Sequence, residues 1–288
     1  MTLLVFLLMV SSGDAAALMA GESATIAEIE ELRTRLGFDR PWYEQYARYM
    51  KRVVQGDLGR SVRQQREVTA IVLERFPATL QLSGLALLVS IVVALPVGIV
   101  SAVKRNSIFD RIAMGAAVLA QAIPVFWLGI VLILIFSVGL GVTPVGGRTN
   151  ARAFILPVVT LSTIYVARNA RLIRSSLLEV MTLDFVRTAR AKGLPESRVL
   201  MAHAFRNSLI PVMTVVGLQF GGLLSGAVVT ELVFAWPGVG RLLVQAVVGR
   251  DTPLVLGATI MIATFIVLVN LVTDMLYGMV DPRVRRVG

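Results

Sequence analysis

The sequence predicts an all-α polytopic membrane protein of about six transmembrane helices, the first incomplete, with a short helical segment in one cytoplasmic loop. Three observations predict it. Of the 288 residues, 56% are hydrophobic and 16% charged, and the mean hydropathy is +0.77, whereas about a quarter of the residues of a soluble domain carry charge. Apolar runs of about twenty residues recur, the length that crosses a bilayer's hydrocarbon core. Basic residues gather in the short connections on one side of those runs, as the positive-inside rule requires. The net charge of +10 is therefore read as membrane topology and argues against a nucleic-acid partner. Cysteine is absent and His203 is the sole histidine. A disulfide framework, a thiolate nucleophile and a zinc-thiolate or paired-histidine metal site are excluded.

Residues 1–10 are apolar but supply only about half of a span, without the basic flank of a signal peptide. The expectation is a partial first helix; the family resemblance set out below implies that the chain begins inside it, through truncation or a misplaced start codon, with Ser12-Gly13-Asp14 as its exit. Residues 11–77 form an external segment, a ledge or lid. Glu22 to Leu36 has the charge pattern of a surface helix, and Asp39-Arg40-Pro41-Trp42 opens another that carries Tyr46 and Tyr49. Gly56-Asp57-Leu58-Gly59-Arg60-Ser61 is a turn.

Residues 78–288 form the membrane domain, with spans over 78–103, 112–140, 152–172, 209–233 and 254–279. Pro96 and Gly98 are tolerated in the first of these because neighbouring helices satisfy the freed backbone groups. Pro124 breaks the next. Arg168, Arg171 and Arg174 close the third, their stems long enough to snorkel to headgroups. Lys104, Arg105 and Arg111, Arg168 to Arg206, and Arg283, Arg285 and Arg286 all fall on one side, which is cytoplasmic, so both termini lie inside.

The loop over 182–208 holds the most specific signal. Thr182 or Asp184 caps a short helix, and Phe185 and Ala189 recur at i and i+4 on one side of it. Gly193 after Arg190 and Lys192 is a helix stop, and Pro195 with Glu196 opens the next helix. Such a compact helix with a fixed exit is suited to being gripped by another protein.

Few residues carry chemistry. No G-x-x-x-x-G-K-[ST] stretch is present, so any ATP hydrolysis belongs to a partner, and no catalytic constellation marks an enzyme. His203 reads as a surface or packing residue. The fifth span has Gly217-x-x-x-Gly221 and Gly222-x-x-x-Gly226 with Ser225 alongside, a spacing for close helix packing, either within this chain or against a second one. Gln219 is a hydrogen-bonding strut or part of a pore wall. Asn270 and Asp274 share one face of the sixth span, and a carboxylate there must face protein or water. An ion pair of Asp274 with Arg283 or the basic loops is expected, in preference to a substrate or proton site.

Arg187-Thr188-Ala189-Arg190-Ala191-Lys192-Gly193 resembles the cytoplasmic E-A-A-x-x-x-G loop of ABC importer permeases, in the form typical of the peptide/nickel/opine subfamily. The general pattern has Glu in place of Arg187 and Ala in place of Thr188. Val233-Phe234-Ala235-Trp236-Pro237-Gly238-Val239-Gly240-Arg241, Arg250-Asp251-x-Pro253, Asn270-Leu271-Val272-x-Asp274 and Asp281-Pro282-Arg283-Val284-Arg285 resemble the same subfamily in order and spacing. The resemblance implies that Arg187 to Pro195, Leu194 included, is a coupling helix seated on an ATP-hydrolysing subunit. It also implies that the turn with Trp236, Pro237, Gly238, Gly240 and Arg241 lies at the external gate or receptor-facing surface. The implied assembly has a homologous second permease, two ATP-binding cassette subunits that bind the ATP and magnesium, and an extracytoplasmic solute-binding protein, all at a cell inner membrane. The alternative is a proton- or cation-coupled secondary transporter or channel using Asp274.

Overall fold

The computed structural model describes residues 3–4, 6–7, 24–37 and 39–280. Among these, helix is the dominant structure, in two compact units. One comprises residues 1–77 and 238–265 and the other 78–237 and 266–288. The expected exit at Ser12 to Asp14 and the Asp281 to Arg285 motif lie outside the described residues, as does the side chain of Asp274 and with it the ion pair expected there.

In the first unit, α1 (Ile26–Leu36) starts with a capping box: Thr25 Oγ1 accepts from Glu28 N at 3.4 Å, and Thr25 N donates to Glu28 Oε2 at 2.7 Å. Gly37, at φ 73°, ends it. Helix α2 (Trp42–Val54) follows Pro41, and its Tyr49 is buried with Phe6 and Leu256. The turn over 56–61 uses Gly56 and Gly59 at φ 83° and 86°, and Gly59 N donates to Asp57 Oδ1 at 2.8 Å. A buried core then joins Leu58, Val68, Ile71 and Val72 to Val239, Leu242 and Ala246 of α9 (Val239–Val248) and to Leu254, Val255 and Ala258. The last three open α10 (Thr252–Val280).

Helix α3 (Val68–Val103) is longer than the span expected over 78–103, because Pro77 is accommodated inside a continuous helix that starts ahead of it. From Ala78 onward α3 belongs to the second unit. There it presents one ridge at four-residue intervals: Ala78, Leu82, Ala86, Ser90, Ala94, Gly98 and Ala102, every one buried. Small residues on such a ridge let a neighbouring backbone approach closely. A Cβ at Gly98 would stand 2.8 Å from both Ala170 O and Ile173 Cβ, so α6 (Ile155–Val180) lies directly against α3. The buried clusters of this unit follow α6 through Leu161 and Tyr165, then Ala170 and Ile173, then Leu177.

The span expected over 112–140, with its break at Pro124, is two helices bent by 103°: α4 (Ile108–Ala122) and α5 (Val125–Leu132), the latter extended by a π-helical turn to Gly139. Proline supplies the cause. Pro124 has no N–H, and Ile123 before it is driven to extended backbone at ψ 124°. The remaining elements are α7 (Asp184–Ala191), a turn at Glu196–Arg198 leading into the π-helical Val199–Phe205, and α8 (Arg206–Val233), which contains Pro211. Among the described residues three helices are long and apolar enough to cross a membrane, and up to five spans result if each bent pair counts as one.

Candidate functional site

Helix α7 is held by its inner face. Val186 and Ala189 are buried and pack with Ala102 of α3, Leu177 of α6, and Val199 and Ala204 of the π-helical turn. The expected apolar pair was Phe185 with Ala189, but Phe185 is 40% exposed, and the buried stripe runs at i and i+3. Neither expected cap acts as one. Leu183 occupies the N-cap without a side-chain bond, Thr182 Oγ1 donates back to Glu179 O at 2.7 Å, and Asp184 is the first helical residue. The outward face carries Arg187, Thr188, Ala191 and Lys192, all exposed.

The exit is set by backbone geometry. Gly193 has φ 74° and its N–H bonds Arg190 O at 2.9 Å, while Leu194 N bonds Ala189 O at 3.4 Å, the signature of a glycine-terminated helix. No atom lies within 4 Å of where a Cβ at Gly193 would be. A side chain there is opposed by the left-handed backbone and not by crowding. After Pro195 the chain folds back so that Arg190 donates through Nε and Nη2 to the two carboxylate oxygens of Glu196, at 3.1 and 2.6 Å. That guanidinium holds the Glu196 carboxyl below the usual glutamate range, and the carboxylate in turn raises Arg190. The helix, its glycine stop and the next turn form one clasped elbow. His203, in the π-helical turn, is half-buried and its carbonyl accepts from Asn207.

Deeper in the same unit, a polar ladder crosses three helices. Gln219 Nε2 of α8 donates to Asn169 Oδ1 of α6 at 2.8 Å, and Asn169 Nδ2 reaches Ser90 Oγ of α3 at 3.4 Å. Gln219 thus bonds α8 to α6. Gly222 and Gly226 face the Tyr165 hydroxyl, at 3.6 and 3.7 Å from their Cβ positions, and Gly221 faces Asn270 Oδ1 at 3.2 Å and Ile266. Gly221 is buried at its contact, whereas Gly222 is exposed and Gly226 partly so. Gly217, the remaining glycine of the pair of motifs, is partly exposed. Gln219 Oε1 and Asn270 Oδ1 are buried without a hydrogen-bond partner among the described residues.

Trp236 sits on the core side of its turn. Its side chain is wholly buried, with Nε1 donating to Ala78 O at 2.9 Å and its ring edge-on to Phe154 at 4.6 Å, so it anchors the core. Pro237 is partly exposed; Gly238 and Gly240 are buried in the other unit, where Arg241 is partly exposed.

Residues 94–286 match the family described as binding-protein-dependent transport system inner membrane component, and residues 1–83 match the N-terminal region of such membrane components. The chain is 42% identical to the dipeptide transport system permease protein of Escherichia coli (strain K12), over 95% of this chain and 90% of that one. It is 42% identical to the di/tripeptide transport system permease protein of Pseudomonas aeruginosa, over 99% and 94%, and 44% identical to the glutathione transport system permease protein of Pectobacterium atrosepticum, over 95% and 89%. Among solved structures, an inward-facing conformation of the MetNI methionine ABC transporter aligns with a TM-score of 0.63 at 18% identity, covering 74% of this chain and 97% of that one. The chain belongs to the binding-protein-dependent transport permeases. It is a multi-pass membrane transport subunit and not an enzyme, and membership displaces the stand-alone secondary transporter as a reading.

One buried carboxylate of this permease escaped sequence reasoning, and a second was named only within a motif. Glu231 of α8 is fully buried and accepts from Thr79 Oγ1 at 2.6 Å; its signal was a carboxylate within an apolar span. Asp251, in the first unit, caps α10 through Leu254 N at 3.3 Å. It also accepts from Ser61 Oγ and from the N–H groups of Val62 and Arg63, both at 3.2 Å. Two separately recognised motifs, the turn ending at Ser61 and Arg250-Asp251-x-Pro253, are therefore one structure.

Proposed function

We propose that this permease forms half of the translocation pathway of an ATP-driven importer for peptides or a related small solute. Its proposed partners are a homologous second permease, two ATP-binding cassette subunits that bind the ATP and magnesium, and an extracytoplasmic solute-binding protein. The relatives' names support the solute class, since dipeptide, di/tripeptide and glutathione systems share a peptide backbone and a free carboxylate. Both termini and the elbow over 182–208 are assigned to the cytoplasm from the distribution of basic residues.

The observation that carries the coupling role is the two-faced character of α7. Val186 and Ala189 anchor it to α3 and α6, while Arg187, Thr188, Ala191 and Lys192 are presented outward. A force applied to that outer face is transmitted to two membrane helices only if the elbow does not deform, and the Gly193 stop and the Arg190–Glu196 pair supply that stiffness. ATP-driven closure of the ATPase subunits would move two such elbows together and switch the pathway between inward and outward access.

Replacing Gly193 with Val tests this. The β-branched residue strains the left-handed position, and its Cβ meets no neighbour, so the membrane domain should fold while uptake falls about 5- to 30-fold, as expected from roughly 1–2 kcal/mol of strain placed in the elbow. Uptake and ATPase co-purification both at wild-type levels would refute the coupling role.

A further inference from the structure

Arg168, Arg171 and Arg174 lie at three-residue intervals along one side of α6, and their treatment by the fold is unequal. Arg174 is committed: its Nε and Nη2 donate to the two oxygens of the buried Asp110 carboxylate at 2.6 and 2.7 Å. Asp110 is held in turn by Asn106 N at 2.9 Å. Arg168 and Arg171 are exposed and have no ion pair among the described residues. They stand about 4.5 Å apart along the helix axis, on a helix apolar enough to cross a membrane.

The three arginines form one wall of a groove of about 540 Å³. The opposite wall is α4, which contributes Met114, Val118 and Gln121. Beside it the outer surface of α4 is apolar, with Ile112, Val118 and Leu119 more than half exposed. The groove therefore has two free cations on one side and a hydrocarbon-compatible surface on the other. Uncompensated cations on a membrane helix are costly unless they reach headgroups or water, and basic pockets between membrane helices bind anionic lipid headgroups, at about 1 kcal/mol per Lys or Arg.

We propose that this groove is a binding site for an anionic phospholipid, whose phosphate is taken by Arg168 and Arg171 while its acyl chains lie along the apolar face of α4. Asp110 contributes by keeping Arg174 fixed, which shapes the end of the groove and leaves the other two arginines as headgroup ligands. The proposal rests on α4 and α6 being embedded in the bilayer and is independent of how α7 meets an ATPase.

The test uses the permease co-expressed with its partner subunits, delipidated and titrated with phosphatidylglycerol or phosphatidylcholine under native mass spectrometry. The wild type is expected to retain phosphatidylglycerol selectively. The double variant R168Q/R171Q should bind it about 30-fold more weakly, the loss of two arginines' worth of attraction, with phosphatidylcholine unchanged. R168K/R171K keeps the charge and should bind within a few-fold of wild type, which separates loss of charge from loss of fold. Equal phosphatidylglycerol retention in wild type and R168Q/R171Q, or loss of binding in the lysine variant as well, overturns the proposal. So does displacement of the lipid by millimolar inorganic phosphate, which would mark a free-anion site, and so does a raised KM for an acidic dipeptide with lipid binding intact, which would mark a solute site. The Gly193→Val variant should retain the lipid, so failure of the coupling role and failure of this site read out separately.

Discussion

Asp251 shows how one side chain can define the meaning of a motif. Its carboxylate is 1% exposed and accepts from a helix N-terminus, a serine hydroxyl and two loop N–H groups, each bond to a charged acceptor being stronger than a neutral one. Removing it leaves those donors without a partner in the protein interior. Asp251→Ala should therefore lower the unfolding free energy by roughly 2–3 kcal/mol, measured as a thermal shift in detergent, while Asp251→Asn loses less because an amide oxygen still accepts. Trp236 makes the complementary point. The resemblance implies a gate or receptor-facing turn around Trp236; its ring is buried against Phe154, and its indole N–H satisfies the buried Ala78 carbonyl.

At the scale of elements, amphipathic pattern located α7, but its rotation depended on neighbours. A helix of eight residues offers two candidate apolar stripes, and the space between α3 and α6 accepts Val186 instead of Phe185. The clasp after it has a definite pH response. Glu196 is depressed below its usual range by Arg190, so the stabilisation it contributes is present above the ordinary glutamate value and is lost as the pH falls through its lowered one. Around neutrality the clasp does not change. Amide hydrogen exchange across Leu194–Arg198 should accelerate at acid pH in the wild type and should already be fast at neutral pH in Glu196→Gln. Equal protection in the two proteins at neutral pH would show that the pair does no clasping.

At the scale of the whole molecule, the second unit is tied together by the Ser90–Asn169–Gln219 ladder in addition to its small-residue ridge. In hydrocarbon, where apolar side chains gain little by choosing each other over lipid, such bonds set which helix faces meet. A double-mutant cycle of Asn169→Ala with Gln219→Ala should give a coupling energy of about 0.5–1.7 kcal/mol in thermal unfolding; strictly additive losses would mean that the ladder is incidental. The all-helical membrane class, the glycine stop at Gly193, the break at Pro124 and the family itself were legible along the chain, because hydropathy and the conformational limits of glycine and proline act locally. The buried Glu231, the union of Ser61 with Asp251, the burial of Trp236 and the division of labour among Arg168, Arg171 and Arg174 were settled only by tertiary structure. Each depends on which groups from distant parts of the chain arrive within about 3 Å of one another, the range in which a hydrogen bond or ion pair forms, and no local pattern encodes that arrival.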